Sequence, residues 1–219
     1  MSKKYTLRQG HSPNGWTEPD VTSYLIDGID TAKGCAFALH EVAAFSSPTK
    51  IPFYSDLSPT AQPHEKHHSF IMHFDMQPMH LCMSFVEKAP VMGEEAWQSF
   101  FVAPDAEKNE RLQMTVRLVE GNLLAKRFLA KPVVADIGKS IPCHWKTTAN
   151  LVECTCDVHS SLAMRAILQM AMYCCKSMVC ELGFVITHSN RPAQVLGAVC
   201  IVNHDMFKYK RLDPSIFCC

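Results

Sequence analysis

Five residues that could ligate a metal or act as a nucleophile and base lie between positions 143 and 159. They are Cys143, His144, Cys154, Cys156 and His159. Their spacing differs from the paired Cys-x-x-Cys of structural zinc sites, and strand alternation would bury Cys154 and Cys156 in the core. Cys143 and His144 are sequence neighbours, which point to opposite faces of a strand and so make a poor catalytic pair. We therefore interpret these thiols as core residues and expect no metal, no cofactor and no catalytic residue.

A second group that could chelate a metal or sense pH consists of five histidines near a proline-rich stretch. Imidazole titrates near neutral pH and is a common metal ligand. Residues 46–68 contain four prolines, which favours a long loop over a helix or strand. We expect this region to be solvated and not to form a site. The histidines are His64, His67, His68, His73 and His80.

Composition narrows the class of function further. The 219 residues include 21 basic and 21 acidic ones, so the formal net charge is zero, and 47% of the chain is hydrophobic. A nucleic-acid partner is not expected, because neutralising phosphates requires a surplus of Lys and Arg. The sequence contains no phosphate-binding loop, dinucleotide-binding glycine pattern, nucleophile elbow or zinc-protease histidine pair. We therefore expect a globular protein that is not an enzyme.

The cysteines and the two ends of the sequence bear on the compartment. The chain has eleven cysteines, an odd number, and opens Met-Ser-Lys-Lys-Tyr without an apolar signal segment. This pattern favours a reducing compartment, so we expect a cytoplasmic protein with free thiols. Cys218 and Cys219 follow a short basic stretch and are candidates for lipidation, which would make the protein peripherally membrane-associated. Two unmodified thiols in an exposed tail are the alternative.

Strand-like alternation in the middle of the chain gives way to a helical period near its end. Residues 70–76 and 81–86 are predicted to form a hairpin around Pro78, and residues 112–118 alternate as a half-buried strand does. Residues 160–180 are predicted to form one helix about 30 Å long, ending or bending at Glu181. A curved, mainly antiparallel sheet with one long, late helix is an α+β fold.

Several short motifs occur together in a characteristic order. They are Val-Glu-Gly-Asn at 119–122, Lys-Arg at 126–127, Lys-Pro at 131–132, Asn-Leu-Val-Glu at 150–153, Asp-Val-His-Ser-Ser at 157–161, Ala163 and Arg165, and Leu-Gly-Ala-Val at 196–199. In this set the chain resembles the C-terminal domain of plant Enhanced Disease Resistance 2 proteins, which also occurs alone in protists. It departs from that pattern at Leu123, where an aromatic residue is usual, and at His159, where glycine is usual.

The resemblance implies a lipid-associated domain with a START-like, helix-grip shape, in which the curved sheet grips the long helix. From the part of the chain that the resemblance covers, residues 16–205 are expected to form a single domain. Residues 1–15 would then be an irregular lead-in and residues 206–219 a tail. The family has no established catalytic residues, so the resemblance implies none here.

The expected function is a non-enzymatic, intracellular lipid-binding or lipid-sensing domain that holds an apolar ligand between the sheet and the helix. Its partners would be a lipid or another apolar small molecule, with a membrane surface or a protein scaffold as further partners. Lys126, Arg127 and Arg165 are the candidates for contacting an anionic headgroup. The alternative is a structural or adaptor protein that keeps the fold with a filled cavity and acts through its surface. The candidate ligand-binding residues are Ala163, Ile167, Met170, Ala171, Cys174 and Met178.

Overall fold

Most of the residues placed by a computed structural model lie in β-strands. The structure describes residues 16–17, 29–30, 35–47, 49–57, 67–88, 96–129, 131–160, 177–189 and 191–202. In chain order the elements are β1 (Trp16–Thr17), β2 (Ile29–Asp30), β3 (Phe37–Ser46), a 3-10 turn (Tyr54–Asp56), β4 (Ser69–Asp75), β5 (Met79–Glu87), α1 (Ala96–Val102), α2 (Asp105–Arg111), β6 (Leu112–Glu120), α3 (Leu123–Phe128), β7 (Val133–Asp136), α4 (Ile137–Ser140), β8 (Cys143–Thr147), β9 (Leu151–Asp157), a second 3-10 turn (Val158–Ser160), β10 (Val179–His188) and β11 (Arg191–Val202).

These strands form two sheets. Sheet I has the order β1-β11-β10-β6-β7, with β2 pairing in parallel with β11, and sheet II has the order β3-β5-β4-β9-β8. Sheet II is antiparallel except at β4 and β9, which run parallel with Ser69 opposite Leu151. The predicted hairpin at 70–86 is confirmed, because β4 and β5 pair around a short turn containing Pro78.

Alternation along each strand directs apolar side chains from both sheets into a shared core. Phe85 of β5 meets Phe184 of β10 edge to face, with ring centroids 5.8 Å apart, and Phe184 also contacts Phe70 of β4 at 6.3 Å. At Gly197 of β11, an added Cβ would lie only 2.5 Å from the Phe85 ring. The two sheets therefore approach each other most closely where this glycine faces the ring.

Four short helices in the described residues pack against the sheets. Trp97 and Phe101 of α1 surround the ring of Phe37, at centroid distances of 5.2 and 5.5 Å. The Trp97 backbone N–H donates a 3.1 Å hydrogen bond to Oε1 of Gln194 in β11, which fixes α1 to sheet I. Trp145 of β8 similarly donates a 2.7 Å hydrogen bond from Nε1 to Asn109 of α2.

The predicted α+β, helix-grip architecture is wrong for the part of the chain that the structure describes. That part is mainly β and consists of two sheets, and its longest helices, α1 and α2, have seven residues each. No helix in these residues is long and apolar enough to cross a membrane.

The predicted end of the late helix, at residue 180, is also wrong. Val179 begins β10, where Cys180, Leu182 and Phe184 alternate into the core, so a period of two replaces the helical one. Glu181 does not end a helix; it lies in this strand and forms a hydrogen-bonded ion pair with Arg117 of β6. Residues 161–176, the middle of the predicted helix, lie outside the described residues.

Candidate functional site

The core-facing side of sheet I becomes less buried from its centre toward the edge strand β7. Cross-strand pairing aligns Val199, Leu182, Val116 and Val133 in one row over β11, β10, β6 and β7. Val199 is fully buried, Leu182 and Val116 are partly exposed, and Val133 is 42% exposed. We name the less buried end of this surface the open apolar face, which comprises the partly exposed Met114, Val116, Leu118 and Leu182 and the exposed Val133.

The opposite side of β7 offers a direct comparison. Val134 is 44% exposed, almost the same as Val133, but it pairs with Thr115 instead of Val116. Because paired residues in an antiparallel ladder share a face and neighbours along a strand alternate, Val134 lies on the outer side of sheet I. Val133 and Val134 therefore differ mainly in the face they occupy.

Two of the predicted headgroup residues lie at one end of the open apolar face. Helix α3 begins directly after β6, where the side chain of Asn122 accepts a 2.9 Å hydrogen bond from the Ala125 backbone N–H as an N-cap. Ala125 is buried, whereas Lys126 and Arg127 are exposed. The short connection from Leu118 to α3 keeps both cations near the end of β6.

The structure places only one of the predicted ligand-binding residues. Met178, just before β10, is buried and belongs to the core shared by the two sheets. The other five ligand-binding candidates lie outside the described residues: Ala163, Ile167, Met170, Ala171 and Cys174. The third headgroup candidate, Arg165, and the two lipidation candidates, Cys218 and Cys219, also lie outside them.

A buried polar cluster, which the sequence did not reveal, lies on the outer side of sheet II. Segment 49–57 covers it, packing Ile51 and Tyr54 against the sheet. Glu153 of β9 accepts hydrogen bonds from the backbone N–H groups of Tyr54, at 2.5 Å, and Ser55, at 3.1 Å. The cluster comprises Glu41, Tyr54, Ser55, His73, Asp75, His80, Glu153 and Thr155, all of them buried.

The two histidines of this cluster contact each other directly. Nε2 of His73 lies 3.0 Å from Nδ1 of His80, and the other ring nitrogen of His73 lies 3.2 Å from the Thr155 hydroxyl. The prediction that the histidines near the proline-rich stretch are solvated is therefore wrong for His73 and His80, which lie in strands beneath segment 49–57. His68 is also bound, through a 2.9 Å contact between Nδ1 and Glu87.

Burial governs the protonation of this cluster. Removal from water, together with the neighbouring His80, lowers the pKa of His73 to about 3. Burial also lowers the pKa of His80, against the opposing effect of Asp75, and it raises the pKa of Glu153 despite that residue's hydrogen bonds. The structure thus holds both histidines neutral at physiological pH.

The neutral histidines predict a loss of stability in mild acid. Below the unfolded-state pKa of 6.5, the unfolded chain binds a proton at His73 that the folded protein does not bind. His73 alone should therefore lower the free energy of unfolding by about 1.4 kcal/mol between about pH 7.5 and pH 5.5. Urea unfolding at both pH values should show a smaller pH-dependent loss for His73→Gln than for the unmodified protein. The exposed His144→Gln serves as the control, and an unchanged pH dependence in His73→Gln would contradict the assignment.

Three of the five residues first singled out do come together. The sulfur atoms of Cys143, Cys154 and Cys156 all lie within 4.8 Å of one another, with Cys156 at 3.7 Å from each of the other two. His144 and His159 are exposed, and neither contributes to this group. Cys154 and Cys156 lie in the core, as strand alternation predicted.

Comparison with known proteins identifies the family. Residues 22–205 match the family model described as Protein ENHANCED DISEASE RESISTANCE 2, C-terminal. No curated protein and no solved structure gives a significant match. The matched range includes the open apolar face, the buried polar cluster and the three cysteines. The resemblance seen in the sequence motifs is thereby confirmed, and the chain belongs to the Enhanced Disease Resistance 2 C-terminal family.

Proposed function

We propose that this protein is a non-enzymatic, intracellular lipid-binding domain whose ligand lies against the open apolar face of sheet I. The observation that carries the proposal is the row from Val199 to Val133, in which a core surface continues outward through partly exposed aliphatic side chains to the exposed Val133. Membership of a family associated with lipid binding supports the same function.

The energetics suit an acyl chain or a similar apolar ligand. Each methylene group removed from water contributes about 0.8 kcal/mol, so contact along several residues is enough for binding without polar recognition. Lys126 and Arg127, exposed at the end of β6, would contact an anionic headgroup. The aliphatic stems of Lys and Arg can lie along apolar surface while their charged groups stay in water beside the headgroup.

The matched valines of β7 provide the test. Val133→Lys should lower lipid retention at least about tenfold, because it places a charge on the proposed binding surface, whereas Val134→Lys should leave retention unchanged. Each protein would be incubated with vesicles of phosphatidylcholine and phosphatidylserine, re-isolated, and examined by native mass spectrometry and after organic extraction. Equal retention by the two variants would refute the placement of the ligand.

A structural or adaptor protein remains the second candidate, and one observation favours it. Between the centres of the two sheets the core is filled by the rings of Phe70, Phe85 and Phe184, which contact one another. Under this alternative the open apolar face would bind a protein, and the unmodified chain would take up no lipid from the vesicles. The same mass spectra therefore separate the two candidates.

A further inference from the structure

The three cysteine sulfurs are brought together by strand pairing and not by sequence proximity. Cys143 pairs with Cys156 across β8 and β9, and Asp157 forms the adjacent ladder hydrogen bond to Pro142. Cys143 and Cys156 are thus a non-hydrogen-bonded pair, the arrangement in which opposite side chains lie closest. Cys154, two residues before Cys156, lies on the same face of β9 and completes the group.

The sulfur separations match those around a bound metal ion. With metal–sulfur bonds of about 2.3 Å, three thiolates in trigonal or tetrahedral arrangement have sulfur atoms roughly 3.8–4.0 Å apart. Two of the three distances here are 3.7 Å, and the third is within 4.8 Å. Only a small movement of Cys143 or Cys154 would be needed to close the triangle.

The number and type of ligands select the ion. Among the described residues, no histidine, aspartate or glutamate joins the three sulfurs, so the donor set consists of soft thiolates alone. Thiolates favour copper(I) and zinc, but protein zinc sites of a structural kind almost always have four ligands. Copper(I) is stable with three. We propose that Cys143, Cys154 and Cys156 form a binding site for one copper(I) ion.

Binding of the ion balances without a redox step. Each thiol that binds releases its proton as a copper–sulfur bond replaces its S–H bond, so Cu⁺ forms three copper–sulfur bonds with no change of oxidation state.

A buried cation and an entry route accompany the thiols. The resulting complex carries two negative charges, and the amino group of Lys108 lies 5.6 Å from the centre of the Trp145 ring, the residue paired with Cys154 across β8 and β9. Cys143 is partly exposed and lies in β8, the edge strand of sheet II. An ion can therefore reach Cys143 from solvent before the two buried sulfurs bind it.

Anaerobic titration of the reduced full-length protein with copper(I), in competition with bathocuproine disulfonate, tests the proposal. We expect one tightly held equivalent, and X-ray absorption should show three sulfur ligands at about 2.3 Å. Cys143→Ser should weaken binding at least about a hundredfold, since it removes one of the three ligands. Because Cys143 is at an edge and partly exposed, this variant is expected to fold, and circular dichroism would verify that it does.

Matched variants separate this site from the other thiols of the chain. Cys82→Ser, a buried thiol on the outer side of sheet II, should retain the copper, as should the paired variants Cys174→Ser with Cys175→Ser and Cys218→Ser with Cys219→Ser. Copper retained by Cys143→Ser, or lost with either pair, would overturn the assignment. Tighter binding of zinc than of copper(I) by the same three sulfurs would overturn the choice of ion.

Discussion

Replacing Glu153 with alanine is expected to lower the free energy of unfolding by roughly 3–5 kcal/mol, since each of two buried backbone donors that loses its acceptor costs about 1–3 kcal/mol. The Glu153 side chain accepts hydrogen bonds from the backbone N–H groups of Tyr54 and Ser55 and is fully buried. Its loss would leave both donors without their acceptor beneath segment 49–57. Lys146, which contacts Ser55 and Asp56, would also lose the attraction of a nearby carboxylate.

Urea denaturation of Glu153→Ala, beside Glu107→Ala as the control, would measure this effect. Glu107 forms an exposed pair with Arg111 one helical turn away in α2, and its removal should change stability by less than about 0.5 kcal/mol. Increased proteolytic cleavage within segment 49–57 is expected in the Glu153 variant, because the carboxylate binds that segment to β9. A loss of stability in Glu153→Ala no larger than that in Glu107→Ala would show that the buried polar cluster does not anchor segment 49–57.

Gly197→Ala is expected to destabilise the protein by about 3 kcal/mol, near the upper end of the range for overpacked cores. The new Cβ would lie 2.5 Å from a carbon of the Phe85 ring, closer than nonbonded carbon atoms approach. The ring cannot easily move aside, since Phe70 and Phe184 contact it at centroid distances of 6.1 and 5.8 Å. Thermal and urea unfolding would measure the loss.

A double substitution tests the cause of that loss. Phe85→Leu removes part of the ring that the new methyl group meets, so Gly197→Ala should cost at least about 1 kcal/mol less in the Phe85→Leu background. If the stability losses of the two substitutions simply add, the cost of Gly197→Ala comes from the backbone at Gly197 and not from contact with the Phe85 ring.

Local alternation explains which parts of the fold the sequence predicts. The β4–β5 hairpin and strand β6 follow from apolar residues at every second position, a signal contained within a few residues. The start of β10 is harder to predict from the sequence, because Met178 and Cys180 fit both a helical and a strand period. The parallel pairing of β4 with β9 has no local signal, since it depends on how the two sheets close around their core.

The same distinction applies to the candidate sites. Burial of Cys154 and Cys156 follows from the alternation of β9, but the position of Cys143 opposite Cys156 depends on the register of the hairpin. Glu153 and His73 occupy positions that alternation would assign to solvent. Segment 49–57 folds over sheet II and covers them, and a covering segment is a tertiary feature that strand periodicity does not encode.

The parallel pairing of β4 with β9 also affects how the protein folds during synthesis. Ser69 and Leu151 are paired although about eighty residues separate them, so sheet II requires closure of a long loop, which slows folding. Until residues 151–157 leave the ribosome, β3, β5 and β4 can pair only with each other, and β4 presents an open strand edge. Such an edge is a template for intermolecular pairing. Nascent chains that end before β9 should therefore depend on chaperones more than the complete protein does.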